Sequence, residues 1–312
     1  ERSPEAPATT RRVGPSLLAK IVVDKCANAM PLHRQRQELA RLGLEITDKT
    51  FDSYWAYTLD TLEPIAIATQ AEAFARPIVG ADDTHLKTLD RAAKSGVTRG
   101  RLWCFVGTEG GVDSDEIVAY GYARNWSATE IREWFSNIDG MVQCDAYAGY
   151  ATEIEDPDGG EPFVAVPDER RLGCSIHVRS KFHAVLLAKD KRAAVPMKHF
   201  ADLYAIEAEC KERRLSAEER GDVRRARSMP ILDEFDRWVD TVHPRLLPKS
   251  PLRVATEYAT NQRVFLRRCF EDGRFEIDNG RTERAIRPFA VGRRNFLFTG
   301  SVRGGERLAI AY

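Results

Sequence analysis

Net charge, closely paired cysteines and long apolar runs are all missing from this 312-residue sequence. Lysine plus arginine number 47, and so do aspartate plus glutamate, leaving a formal charge of zero. A role on nucleic acid therefore cannot be read from total charge and has to come from local basic patches. The six cysteines (Cys26, Cys104, Cys144, Cys174, Cys210 and Cys269) lie far apart, with no C-x-x-C pair. They read as reduced, mostly buried thiols of a cytosolic protein. No apolar stretch reaches the ~18 residues a membrane span needs, and no signal peptide opens the chain. The chain begins with Glu1 rather than Met and stops inside an apolar run at Tyr312, so it reads as a piece of a longer protein. Hydrophobic residues make up 43% and charged residues 30%, which suits a globular protein with a real core. The length allows about two domains.

Residues 1–13 are polar and Pro-containing, as in a tail or linker. Residues 14–76 read as helical. Pro15 opens one helix that Pro31 interrupts, and a second covers 32–42 and closes at Gly43. Thr47 or Asp48 caps a third, DKTFDSYWAYTLDTL. This is the outline of a helix-turn-helix, with Lys49, Thr50 and Ser53 near the start of the recognition helix; a helical bundle that only packs has the same outline.

From residue 77 the texture changes to strands: 77–89, then a hairpin of 101–108 and 116–123 around the turn-rich GTEGGVDSD. Ser127 with Glu130 forms a capping box for the next helix. Strands at 140–147 and 171–178 follow, with the loop DPDGGE (156–161) between them and a helix from Arg179 to 189. That order predicts a mixed five-stranded sheet whose first three strands meander and whose fourth is reached by a helical crossover. Residues 190–270 are helical and charged, with an amphipathic stripe at Ile231, Leu232, Phe235, Trp238, Val239 and Val242. In 271–312, Asp278-Asn279 starts a short helix that Pro288 ends, and FAVGRRNFLFTGS reads as a strand or extended loop.

Two of these strands end in acids, Asp82 and Asp145. On adjacent strands their carboxylates would emerge side by side and repel each other unless a divalent cation sat between them. Glu283, on the short helix after the helical segment, is a third carboxylate suited to a two-ion site of all-oxygen ligands, which would take Mg2+. Acids at strand ends also serve turns and salt bridges, so the spacing alone leaves both readings open.

Several blocks narrow this. GADDTHLKTL, QCDAYAGY and IDNGRTERAIRP resemble, in order, the three catalytic blocks of the insertion-sequence transposases of the sixty-six family. LGCSIHVRSKF, LPKSPLRVATEYATNQ and VGRRNFLFTGSVRGGERLA resemble the blocks between and after them, and PLHRQRQELARLGLEITDKTFDSYW matches near the start. The resemblance implies an α/β, RNase H-like core with a large α-helical insertion (190–270) and an α-helical N-terminal region. It implies an Asp, Asp, Glu triad at Asp82, Asp145 and Glu283, holding two Mg2+ (or Mn2+) ions per site. It also implies cleavage of transposon ends followed by 3′-hydroxyl strand transfer. Asp83 stands where Glu is usual, Gly280 where a second Asn is usual, and Ser175-Ile176 where Trp-Ala is usual; none replaces a triad acid.

Around the triad, His177 either touches the scissile phosphate or is a structural hydrogen-bonder. Lys181, on the same segment, is a DNA-contact candidate. Seven arginines against two acids occupy 281–307, among them Arg284, Arg287, Arg293 and Arg294. They suit phosphate contact or a solvated face, and Asn295 beside them suits a base or sugar. The run Lys211, Arg213, Arg214, Arg220, Arg224, Arg225 and Arg227, interleaved with acids, reads as a salt-bridged exposed helix. The expected partners are transposon terminal inverted repeats, target DNA, further copies of the chain and accessory transposition proteins, in a bacterial cytoplasm on the nucleoid. A nuclease or resolvase without strand transfer, and a catalytically silent DNA-binding derivative, are the alternatives.

Overall fold

A computed structural model describes residues 13–155 and 162–312 of the chain. The tail at 1–12 and the loop expected at 156–161 lie outside the described residues. Pro15, with its fixed φ, sits at the start of α1 (Pro15–Cys26), and α2 (Leu32–Arg41) is followed by Gly43 at φ 87°, a backbone only glycine adopts freely. Thr47 caps α3 by accepting the Thr50 N–H at 3.2 Å. This helix runs from Asp48 to Phe74, well past the expected fifteen residues, with Pro64 inside it. Pro64 and the residue four before it, Asp60, are both exposed, so water can satisfy the freed carbonyl.

The sheet comprises β1 (Ile78–Leu89), β2 (Val97–Thr108), β3 (Glu116–Ala123), β4 (Met141–Gln143) and two residues near 171, with α4 (Ala128–Ser136) crossing from β3 to β4. Between β4 and the last strand a small ribbon forms from β5 (Glu153–Ile154) and β6 (Phe163–Val164); the last strand is β7 (Arg171–Leu172). The order is β3-β2-β1-β4-β7, antiparallel through β2 and β3 and parallel from β1 to β4 to β7. This is the mixed five-stranded sheet of an RNase H-like α/β core. Ser127 caps α4, yet the expected capping box is only half made: the Glu130 carboxylate accepts the Arg124 N–H at 2.9 Å instead.

The fifth strand is much shorter than 171–178. At Gly173 the chain leaves the sheet, its N–H donating to Phe265 O at 2.9 Å, and α5 (Ser175–Leu187) begins where strand was expected. Then come α6 (Ala194–Glu212), α7 (Ala217–Val223), a π-helical turn at Arg224–Ser228, α8 (Met229–Val242) and α9 (Pro251–Arg268). The amphipathic stripe of α8 faces inward as expected: Leu232, Phe235 and Val239 join Phe182, Phe200 and Leu266 in one cluster on one side of the sheet. Phe74, Trp103, Phe105, Phe135 and Tyr150 form another.

The charged run is corrected in part. Arg220 and Arg224 are buried, not exposed, and both clasp the buried Glu207, Arg224 at 2.7 and 2.8 Å. Arg224 also donates to the carbonyls of Cys269, Asp272 and Phe275, and Arg220 to that of Gly273. Arg213, Arg225 and Arg227 do pair with acids at the surface.

The last two helices are α10 (Gly280–Phe296) and α11 (Val302–Ala311). Pro288 does not end α10, because it and Arg284, whose carbonyl it frees, face solvent. Thus most of FAVGRRNFLFTGS is helix; only Thr299 is strand-like, bridging to Thr88. Helices α1–α3 share one hydrophobic cluster with β1, β2, α10 and α11, through Ile21, Phe51, Trp55, Leu59, Leu86, Leu102, Phe289 and Leu308.

Candidate active site

Asp82 lies in the middle of β1 rather than at its end, because the hairpin with β2 continues to Leu89. It shares a face with Gly80 and Ile78, two and four residues back. Its cross-strand partner is Cys104, which packs against Ile286 of α10. The side of β1 that bears Asp82 therefore faces α10, the helix that carries Glu283 in its first turn.

The parallel register of β1 and β4 pairs Ile78 with Met141 and Gly80 with Gln143. The offset is 141 − 78 = 63 residues, the same as the interval 145 − 82 between the two aspartates. Asp145 thus follows the end of β4 by the same two residues by which Asp82 follows Gly80, the last residue of β1 paired with β4. Its Oδ1 accepts the Tyr147 N–H at 3.0 Å, and its carbonyl accepts from Arg171 at 2.9 Å.

Glu283 is delivered to this edge by contacts that sequence reading missed. Asn279, just ahead of α10, donates its side-chain amide to Ala81 O at 2.9 Å, and its backbone N–H to Cys174 Sγ at 3.3 Å. Ser175 N donates to Ile277 O at 3.0 Å, and buried Gln143 donates to Glu276 O at 2.7 Å. Gly80 lets α10 seat on β1, since a Cβ there would overlap Thr282 Oγ1. The D-N-G triplet at 278–280 and the glycine two residues before Asp82 were the available signals.

The electrostatics are those of crowded, half-sheltered acids. Burial pushes Asp82 up to about 7; its bond from the Asp83 N–H opposes this, while Asp145, Asp83 and Glu283 add to it. Asp83 is pushed up to about 6 by burial, against the pull of Arg101, whose guanidinium lies 2.9 Å from its carboxylate. Burial also raises Glu283, opposed by His177, Arg284 and Arg287. Carboxylates that resist ionising together are the donor chemistry of a hard divalent cation, which would relieve their repulsion.

His177 is in the first turn of α5, not at a strand end, and its buried Nδ1 has no hydrogen-bond partner. Among the described residues, the group of metal-capable side chains whose donor atoms all lie within 4.8 Å of one another is Cys174, His177 and Glu283, not the three acids. Cys174 carries no signal in the sequence beyond its place three residues before His177.

The basic candidates divide. Arg284, Arg287 and Arg294 are exposed on α10, with no acid among the described residues within ion-pair distance. Arg293 instead donates to Thr84 Oγ1 at 2.7 Å and to His85 O, and Asn295 donates to Ala29 O at 2.9 Å. Both are thus engaged in packing the chain's own elements together. Lys181 Nζ lies 5.1 Å over the Tyr258 ring. Lys49 is exposed, whereas Thr50 Oγ1 pairs with Thr47 Oγ1 and Ser53 Oγ donates to Thr50 O at 2.7 Å, local bonds of the helix start. No described helix is long and apolar enough to cross a membrane.

Comparison with known proteins supplies the family. The model of the Transposase IS66 family matches residues 11–307. Two similar chains of Sinorhizobium fredii (strain NBRC 101917 / NGR234) bear the names uncharacterized protein y4hP and uncharacterized protein y4qI. The first is 28% identical over 314 residues, covering 96% of this chain and 55% of the relative; the second is 29% identical over 300 residues, covering 94% and 54%. Uncharacterized protein y4jD of the same strain is 28% identical over 305 residues, covering 95% and 57%. This chain therefore spans about half the length of the curated relatives it matches. With nearly its whole length matched, and with the mixed sheet that its strand pattern predicts, the chain belongs to the IS66 family of transposases.

Proposed function

We propose that this chain cleaves DNA at transposon ends and joins the freed 3′-hydroxyl to target DNA, with Asp82, Asp145 and Glu283 as the catalytic carboxylates. The observation that supports the reading is the shared offset of 63 residues: the parallel register ends at Gly80 and Gln143, and Asp82 and Asp145 each follow two residues later, with the helix of Glu283 packed against β1. The donor set suits Mg2+ or Mn2+, which when bound would supply Lewis-acid stabilisation of in-line phosphoryl transfer. Asp82 and Asp145 would share the two ions, and Glu283 would hold one and help place the attacking hydroxyl. Asn279 keeps Glu283 against β1 through Ala81. Arg284, Arg287 and Arg294, exposed on α10, would grip phosphates and contribute little sequence information. His177 and Lys181 extend that polar edge along α5, and Lys49 offers a contact from α3. Bringing two ends together calls for at least two copies on DNA.

The test incubates the chain with DNA carrying the element's terminal repeats and a target plasmid in Mg2+. Joined products are expected. Nicks alone would favour a nuclease, and binding without cleavage a silent DNA-binding derivative. Asp145→Ala is expected to abolish cleavage with an unchanged circular dichroism spectrum, and undiminished cleavage would refute the site.

A further inference from the structure

We propose that Cys174, His177 and Glu283 form a zinc-binding site that overlaps the third acid of the candidate active site. The three donors come from two elements: Cys174 caps α5, His177 follows in the first turn of the same helix, and Glu283 projects from the first turn of α10. Their donor atoms lie within 4.8 Å of one another. Donors on one tetrahedral zinc ion sit about 3.5 Å apart, so side-chain shifts of about an ångström close the set. A sulfur, an imidazole nitrogen and a carboxylate oxygen suit zinc and do not suit Mg2+, which takes oxygen ligands.

The surroundings are those of a metal ligand set. Asn279 N–H donates to Cys174 Sγ at 3.3 Å, which orients the sulfur and partly offsets the burial that pushes this thiol up to about 12. Asn279 is itself pinned to Ala81, so that donor is fixed relative to the sheet. His177 Nδ1 is buried without a hydrogen-bond partner. Cys174 is buried, while His177 and Glu283 are half-exposed, which leaves a side open for entry and for a fourth, water-derived ligand. Binding forms a zinc–sulfur bond, and the thiol proton of Cys174 passes to solvent.

The site has a consequence that rests on the catalytic reading of Glu283. A zinc ion held by Cys174 and His177 takes the Glu283 carboxylate away from Asp82 and Asp145. Zinc would then act as an inhibitor of Mg2+-dependent cleavage, through a ligand the Mg2+ ions also need.

The binding test does not depend on activity. Cobalt(II) chloride titrated into the full chain in Mg2+-free buffer is expected to give a thiolate-to-cobalt charge-transfer band saturating at one ion per chain and abolished by zinc chloride. Cys174→Ser is expected to lose the band and Cys210→Ser, in α6, to keep it. His177→Ala is expected to weaken zinc binding at least about tenfold, followed by competition with a chromophoric chelator. A missing band, or a band that survives in Cys174→Ser, overturns the site; His177→Ala, at a half-exposed position, keeps the test decisive should Cys174→Ser fail to fold. Zinc added to the cleavage reaction is expected to inhibit the unmodified chain and spare Cys174→Ser. A cobalt band without inhibition of an active enzyme would overturn the competitive role and leave the zinc site standing. A chain inactive in Mg2+ that still gives the band would count against the catalytic reading alone.

Discussion

Gly80→Ala isolates the contact that seats the third acid. A Cβ at position 80 would overlap Thr282 Oγ1 and meet Asn279 Oδ1 at 3.1 Å. Neither neighbour can retreat freely: Thr282 is fully buried in the first turn of α10, and Asn279 is held by Ala81. Overpacking of this kind costs about 1–3 kcal/mol, relieved by lifting the start of α10 off β1. Because Glu283 follows Thr282 directly, the same displacement moves the acid, and cleavage is expected to fall further than the loss of folded protein explains. Thr282→Ala supplies the control. Its Oγ1 is buried without a hydrogen-bond partner, so removing it costs little, and the nearest remaining Thr282 atom, Cβ, would lie 3.5 Å from the new methyl group, an ordinary contact. The double variant is therefore expected to recover most of the stability lost by Gly80→Ala, with a coupling of about 1–2 kcal/mol in a urea-denaturation cycle. Additive effects would show that Thr282 does not meet the added methyl group and that Gly80 is not the seat of α10.

Three further outcomes follow from the same structure. Asp82 is pushed up to about 7 by burial and then by neighbouring acids, so the folded state holds its proton more tightly than the unfolded chain; stability of the metal-free protein is expected to fall as pH rises from about 4 to about 7, and Asp82→Asn to flatten that profile and gain about 1–3 kcal/mol at pH 8, read from urea midpoints. A parent with equal midpoints at pH 5 and 8 would contradict it. Glu207→Gln leaves Arg224 buried without a counter-charge and Arg220 with Glu276 alone, and is expected to cost about 3–5 kcal/mol in chemical denaturation, whereas Glu209→Gln, on the exposed face, should shift it by less than about 1 kcal/mol. Asn279→Ala removes the tether to Ala81 and is expected to lower the cleavage rate at least about tenfold while substrate affinity changes little; a pure affinity loss would count against a positioning role.

Much of this arrangement was legible before any coordinates. The hairpin, the crossover helix and the inward stripe of α8 follow from hydrophobic period and turn residues, which are local signals. What failed depended on distant partners. The apolar run after Arg171 looks like strand until Gly173 bonds to Phe265 of α9 and the chain turns into helix. Arg220 and Arg224 sit among surface-like acids in sequence, and only Glu207 and the carbonyls of 269–275 reveal them as core residues. Pro288 reads as a helix breaker, and which face of its helix it occupies, like Pro64 in α3, is a tertiary fact. In the site, Asp82 and Asp145 were singled out as acids ending strands and by their motif blocks, although Asp82 lies within β1. Cys174 was not, since its closeness to Glu283 arises only when α5 and α10 start side by side.

The buried arginines explain how Glu283, 283 − 145 = 138 residues beyond Asp145, is held beside β1. The helical segment that fills the interval leaves the core at α5 and returns at the end of α9. At that return Arg224 holds the carbonyls of Cys269, Asp272 and Phe275, while Arg220 holds Gly273 and the Glu276 carboxylate. Gln143, two residues before Asp145, takes the next carbonyl, at Glu276, and Asn279 then closes on Ala81, one residue before Asp82. The path into Glu283 is thus gripped first by the insertion, then by β4, then by β1. An insertion held this way can differ in length or outer surface without moving the acid, provided that the Glu207–Arg220–Arg224 cluster and the Gln143 contact persist. The insertion therefore acts on the site through the backbone it clamps, and through Tyr204 of α6, whose hydroxyl donates to the Asp278 carboxylate at 2.7 Å.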